Sequence, residues 1–160
     1  MFRMFYLSCL FLLAGSLFAA DPFVGTWKLN VAQSKHVGGG NPTPKEATLV
    51  IERAGDQATV TITGTAGDGS PFSVKYTVPS TGGPLQYLEG GPPAGSGITS
   101  ILAKGKAGSG IADFTDTKDG KVIESTHSVV SADGKSIRST IKGIDPQGKK
   151  YEDVVVYDKQ

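Results

Sequence analysis

Cysteine is almost missing from this 160-residue chain: there is one, Cys9, and it falls in the first twenty residues. Without a disulfide framework the domain must stand on its apolar core, which a chain of this length can supply. Histidine is nearly as scarce. His36 and His127 lie far apart, and with no second histidine at i+4 and no partnering cysteine, no zinc site is expected. An excess of either charge is missing too. Of 16 Lys and Arg one is Arg3, and the other 15 balance 15 Asp and Glu. No basic cluster exceeds the pair Lys149 and Lys150, so nucleic acid is not an expected partner. The sequence lacks GxSxG, GxGxxG and a P-loop, and shows no catalytic constellation. The GSGI at 95–98 and again at 108–111 reads as two bends. The expectation is a protein that is not an enzyme and that carries no cofactor or metal.

One long hydrophobic run is present, and it is not fold. Arg3 precedes an apolar stretch from Met4 to Phe18, and Ala19 and Ala20 offer small residues for cleavage. This pattern predicts a secretory signal peptide over 1–20, too short and wrongly flanked for a membrane span. Cys9 comes too early in the run for a lipid anchor. The expected product is residues 21–160, one domain, exported to the periplasm or beyond the cell, monomeric and not inserted in a membrane after cleavage.

Glycine is plentiful, at 22 residues, and there are 9 prolines. That composition favours turns over long helices. Val31 to His36 has room for one helical turn before Gly38, Gly39, Gly40, Pro42 and Pro44 end it. From Ala47 onward a period of two takes over. Ala47, Leu49 and Ile51, then Val60 and Ile62, then Phe72, Val74, Tyr76 and Val78 alternate with polar residues, the pattern of half-buried antiparallel strands. Asp68-Gly69, Asp119-Gly120 and Asp133-Gly134 are hairpin signals, and Pro146 with Gly148 marks another turn. Gly55 and Gly69, and again Gly120, Gly134 and Gly148, are spaced one strand plus one turn apart. The fold class expected is all-β, an antiparallel up-and-down barrel of about ten strands, closed so that no edge is left free. The segment from Pro79 to Gly97 interrupts the regularity and reads as a long loop, rim or lid, with one short strand near Leu85–Leu88.

The opening strand, FVGTWKLN at 23–30, carries the only Trp. Trp27 reads as the plug of one barrel end, with a ligand-stacking surface as the alternative. Gly25, two residues earlier, lets backbone or side chain come close. Asp113, Asp116 and Asp119 read as a solvated turn, and His36 as a solvated loop residue. The last strand is ambiguous, because Val154 to Val156 is continuously apolar. If Tyr151, Asp153, Val155 and Tyr157 face inward, Asp153 is a semi-buried acid that needs a partner. If they face outward, Val154 and Val156 are core.

These stretches resemble the calycins, the lipocalin and fatty-acid-binding-protein group. FVGTWKL is similar to their opening strand, and KEATLVIERAGDQATVTI at 45–62 to the following hairpin. KDGK at 118–121, IKG at 141–143 and VVVYDK at 154–159 resemble their closing strands. The chain is also similar to small exported bacterial proteins that begin GTWKLN and end VVYDKQ. The resemblance implies a barrel with an internal cavity for a small hydrophobic ligand. It also shows two departures. Segment 31–45 is too short for the helical lid of the group. The Arg-x-Tyr that grips a carboxylate becomes Val155 and Tyr157, and a second interior Arg, six residues after Lys121, falls on His127. The resemblance therefore implies an interior polar patch of His127 and Tyr157, surrounded by Phe72, Val74, Tyr76, Ile123 and Val155. It implies a neutral or weakly polar ligand in place of a fatty acid. An anion would be held only once His127 is protonated, below about pH 6.5. The competing expectation is a structural or interaction barrel whose interior is filled by side chains.

Overall fold

The computed structural model describes residues 21–38, 44–91, 97–106, 108–145 and 147–160. The expected signal segment with Cys9 lies outside the described residues, as do Gly39, Gly40, Pro42, residues 92–96 and Pro146. No helix of the described residues is long and apolar enough to cross a membrane.

The architecture is all-β and antiparallel, as the alternation and turns predict. Its strands are β1 Gly25–Leu29, β2 Lys35–Gly38, β3 Glu46–Ala54, β4 Gln57–Thr65, β5 Pro71–Pro79, β6 Gly82–Pro84, β7 Gln86–Glu89, β8 Ser100–Gly105, β9 Ile111–Lys118, β10 Lys121–Val130, β11 Ser136–Ile144 and β12 Lys150–Lys159. They form one sheet in the order β6-β8-β9-β10-β11-β12-β1-β3-β4-β5-β7. Where the sequence predicts about ten strands, twelve segments occur, because two of the strands are split. The opening strand is one. β1 pairs with the end of β12 and β2 with its beginning. Between them Val31–Gln33 makes a 3-10 turn, which Asn30 caps by accepting from the Gln33 N–H at 3.1 Å. Ser34 Oγ accepts the Val156 N–H at 3.0 Å, so a hydroxyl fills the gap in the ladder. The predicted helical turn is therefore present and short, and a strand that sequence reading passed over follows it.

The second split strand brings the barrel nearly to closure. β6 pairs with β8 and β7 with β5, so the two edges of the sheet meet in consecutive halves of Gly82–Glu89. Part of the expected long loop is thus sheet edge, which leaves the ends of the sheet short and paired.

Register decides which residues face inward, since directly opposed residues share a face. The row Trp27, Leu49, Ile62 and Val74 crosses β1, β3, β4 and β5. Asp119 and Gly120, both with positive φ (50° and 75°), form the tight turn between β9 and β10. Three residues after Gly120, at Ile123, β10 carries a bulge between Val122 and Glu124. An inserted residue reverses the facing of everything beyond it.

The densest packing is at one end. Trp27 is fully buried and clusters with Val130 and Ile137, with Phe23, Leu49 and Tyr157 against them. The indole N–H donates to the Phe23 carbonyl at 2.9 Å, and Lys159 Nζ stands 4.9 Å from the ring centroid. Gly25, at φ 141°, permits this. A Cβ there would lie 3.2 Å from Lys159 Cε and 3.8 Å from the indole nitrogen.

Candidate functional site

The opposite end of the lumen is built from one cross-strand row. Ile101, Asp116, Glu124, Gly143, Tyr151 and Gly38 oppose each other in turn from β8 to β12 and on to β2. Asp153 and His36 form a pair in the next row. Three carboxyl groups therefore enter the lumen side of neighbouring strands.

Each strand supplies a reason for the arrangement. The turn at Asp119-Gly120 with the bulge after Val122 brings Glu124 directly opposite Asp116. Gly143 leaves the space between Glu124 and Tyr151 empty. A Cβ on it would sit 2.5 Å from the Tyr151 ring and hydroxyl. The phenol crosses that gap, and its hydroxyl donates to Glu124 Oε2. Asp153 faces inward and finds its partner in His36, whose Nδ1 lies 2.6 Å from Oδ1, both side chains 20% exposed. His36 is thus a lumen residue of β2 and not the solvated loop residue that its glycine-rich context suggests.

Asp116 is different. It is 8% exposed, and its Oδ1 is buried with no hydrogen-bond partner among the described residues. It belongs to β9 and to the interior, not to a solvated turn. Burial and, second, the charge of Glu124 push its carboxyl up, to about 7. Burial also raises Glu124, although the Tyr151 hydroxyl opposes the shift. Two carboxylates directly opposed in a sheet repel each other, so the pair favours holding a proton. Around them stand phenols. Tyr76 of β5 is raised by burial and then by Asp116, and Tyr87 of β7 likewise. Their rings meet edge to face with centroids 5.9 Å apart. Burial, then the bond to Glu124, raises Tyr151.

Away from this row the lumen is lined mainly by apolar side chains. Leu49, Ile51, Val60, Ile62, Phe72, Phe114 and Ile141 face inward yet are only half-buried. At the rim, a cleft of about 500 Å³ reaches Glu124 and Tyr151. Its apolar edge includes Val37, Val122 and Ile144, all strongly exposed.

The residues expected to form the ligand site divide. Phe72, Val74, Tyr76, Val155 and Tyr157 face the lumen. Burial raises the Tyr157 phenol, which packs against the Trp27 cluster at the end away from the carboxyls. Ile123 lies at the bulge and lines the rim cleft. His127 does not face the lumen. It opposes Asp113 and Thr140 on the outer face, with Nδ1 2.7 Å from Asp113 Oδ1, beside a shallow hollow of about 190 Å³. Counting six residues on from Lys121 crosses the bulge, and the extra residue turns His127 outward. The expected imidazole–phenol patch is therefore replaced by a carboxyl–phenol row that sequence reading missed. The one signal for it was symmetry, with Asp116 three residues before the Asp119-Gly120 turn and Glu124 four after it.

No family profile matches the chain, and no curated protein sequence matches it. Solved structures do match in shape. Rv2717c from M. tuberculosis aligns with a TM-score of 0.50 at 16% identity over 92% of this chain and 99% of that one. Zebrafish ileal bile acid-binding protein complexed with cholic acid gives 0.47 at 14% over 87% and 99%. Lobster apocrustacyanin A1 gives 0.43 at 12% over 88% of this chain, which spans 62% of the crustacyanin chain. The likeness is one of fold: a calycin-like antiparallel barrel, as the resemblance in the sequence implies.

Proposed function

We propose that this chain is an exported barrel that binds a small, largely hydrophobic molecule without an anionic group, and that its function is binding and not catalysis. The observation that carries this reading is the lumen itself. Its inward apolar side chains are half-buried, and the polar groups at its acidic end are carboxyls and phenols with His36 beside Asp153, while the Ser128 and Ser139 hydroxyls bond each other further in. A pocket of apolar walls with a few convergent polar groups suits a small ligand. A fatty-acid carboxylate would meet Asp116, Glu124 and Asp153 and be repelled. Export rests on the segment 1–20 described above.

The test is a titration with two fluorescent probes of similar size, the neutral N-phenyl-naphthylamine and an anthroyloxy fatty acid. The neutral probe is expected to bind and the anionic one not. Binding of neither would favour a filled structural barrel. Tighter binding of the anionic probe would mean that the acidic row does not line the binding cavity.

A further inference from the structure

The acidic row contains acceptors without matching donors. Glu124 has the Tyr151 hydroxyl and Asp153 has His36. Asp116, more than nine-tenths buried, shares a side-chain hydrogen bond with Glu124, but its Oδ1 receives nothing. A buried acceptor left unmade is costly, and more so when it can carry charge. Opposed carboxyls add repulsion. A proton shared by the pair relieves the repulsion while one carboxyl stays neutral. Once both are ionised, a cation with several N–H groups, small enough to reach Asp116 and Glu124 together, would relieve both.

The neighbouring elements fit the same chemistry. Across the lumen from β9, the Tyr76 and Tyr87 rings meet edge to face near Asp116. Phenol faces attract ammonium groups, and they do so most strongly where water is excluded. Beyond them the walls are Phe72, Val74 and Phe114, suited to an alkyl or ring body. The charged and titratable groups facing Asp116 are Glu124 on β10, Tyr76 on β5, Tyr87 on β7, and Tyr151 and Asp153 on β12 with His36 behind. β8 offers only Ile101. The cation nearest in sequence, Lys118, is two residues further along β9, exposed and against Gly97.

We infer that the ligand carries a basic amine, and that Asp116 and Glu124 receive its ammonium group while the Tyr76 and Tyr87 rings flank it. This rests on the small-molecule reading above and names the class of molecule: an apolar body with one protonated amine, the opposite polarity to a fatty acid. The rim cleft has Glu124 and Tyr151 in its lining, so the outer member of the row is open to solvent. Affinity rises with pH as the carboxyl pair ionises, because an alkylammonium, like the lysine side chain, keeps its proton until about pH 10.

The experiment displaces bound N-phenyl-naphthylamine with octylamine and, separately, with octanol, which has the same chain and no charge. A charge-assisted hydrogen bond predicts that octylamine binds at least about tenfold tighter at about pH 8. The preference should shrink several-fold at about pH 5.5 and approach one in Asp116→Asn. His127→Ala, altered on the outer face, should keep it. Equal binding of octylamine and octanol at pH 8 would overturn the amine inference and leave the small-molecule reading standing. Failure of the naphthyl probe and both competitors to bind would overturn that reading, and this inference with it. Should Asp116→Asn not fold, Glu124→Gln and the pH dependence of the wild type carry the same test. A preference unchanged in both variants, or one that does not shrink as pH is lowered from about 8 to about 5.5, would refute the assignment to this pair.

Discussion

At the Trp27 end of the barrel the polar groups are matched. The indole N–H has the Phe23 carbonyl, the Arg53 guanidinium has Asp21, and the Lys159 ammonium stands over the indole ring. At the acidic end, Asp116 and Glu124 face one another and share a hydrogen bond, the Tyr151 phenol donates to Glu124, and Asp116 Oδ1 is left over. Both ends use a glycine to admit a large side chain, Gly25 beside Trp27 and Lys159, and Gly143 beneath Tyr151. The first arrangement completes a core. The second assembles carboxyls that repel one another once both are ionised. Local conflict that the fold does not resolve is more often found at sites than in scaffolds, and this contrast is what separates the plug from the site.

The largest test of the contrast is at the plug. Trp27→Ala should cost about 3–5 kcal/mol, the usual range for removing a buried large aromatic, with no ligand present. Urea melts of the two proteins measure it. A loss below about 1 kcal/mol would return Trp27 to the role of a stacking surface.

The acidic end should respond in the opposite sense. In the unfolded chain Asp116 has an ordinary value of 3.8, and in the folded protein about 7. Between those values the folded state binds more protons, so this group's contribution is fully present below about pH 4 and is lost as pH rises toward and past 7. Asp116→Asn removes the slope. Compared with wild type it should be about 1–3 kcal/mol more stable at pH 7.5 and nearly equal at pH 4. The difference between the two proteins across pH is the readout: carboxyls remote from the pair affect both alike, and what changes is Asp116 together with the Glu124 that it faces. If the variant is no more stable than wild type at pH 7.5, the pair is well solvated and the contrast between the ends disappears.

Gly143→Ala is a smaller effect on the same row. Its methyl must displace the Tyr151 ring, and overpacking of this kind costs about 1–3 kcal/mol. In a Tyr151→Ala background the cost should largely vanish, because the obstructing ring is gone. Additive losses in the double variant would show that Gly143 is needed for backbone reasons instead.

Much of the scaffold was legible in the sequence because it is written locally. Alternation from Ala47 to Val78 marks three strands and their inward face, and Asp119-Gly120 marks its hairpin without any knowledge of the partners. Trp27 announces itself by size. What was illegible depends on register and long-range pairing. The bulge after Val122 carries no residue signature, yet it turns His127 out and sets Glu124 opposite Asp116. His36 becomes an interior residue only because β2 pairs with β12, over a hundred residues away. Gly143 looks like any other glycine until Tyr151 is placed across it. The site is therefore harder to read than the barrel: each of its members is defined by a neighbour distant in sequence.

The smallest expected effect concerns the residue on which sequence reading placed most of the function. His127 is 54% exposed and Asp113 63%. An exposed pair of this kind contributes little, since solvent screens it and two side chains must be held in place. His127→Ala should change stability by less than about 0.5 kcal/mol. It should also leave ligand affinity and its pH dependence as they are in wild type, because the imidazole and the lumen lie on opposite sides of the sheet. A melt and a neutral-probe titration at pH 5.5 and 8 on both proteins measure these effects. A shift of several-fold in affinity with His127→Ala would bring the histidine back to the ligand, which requires β10 to run without its bulge and Glu124 to leave the lumen. The same two measurements on a neutral outcome sharpen the opposite conclusion: the titrating groups that matter to the ligand are the carboxyls of β9 and β10, and the acidic end of the barrel is set by one extra residue in a strand.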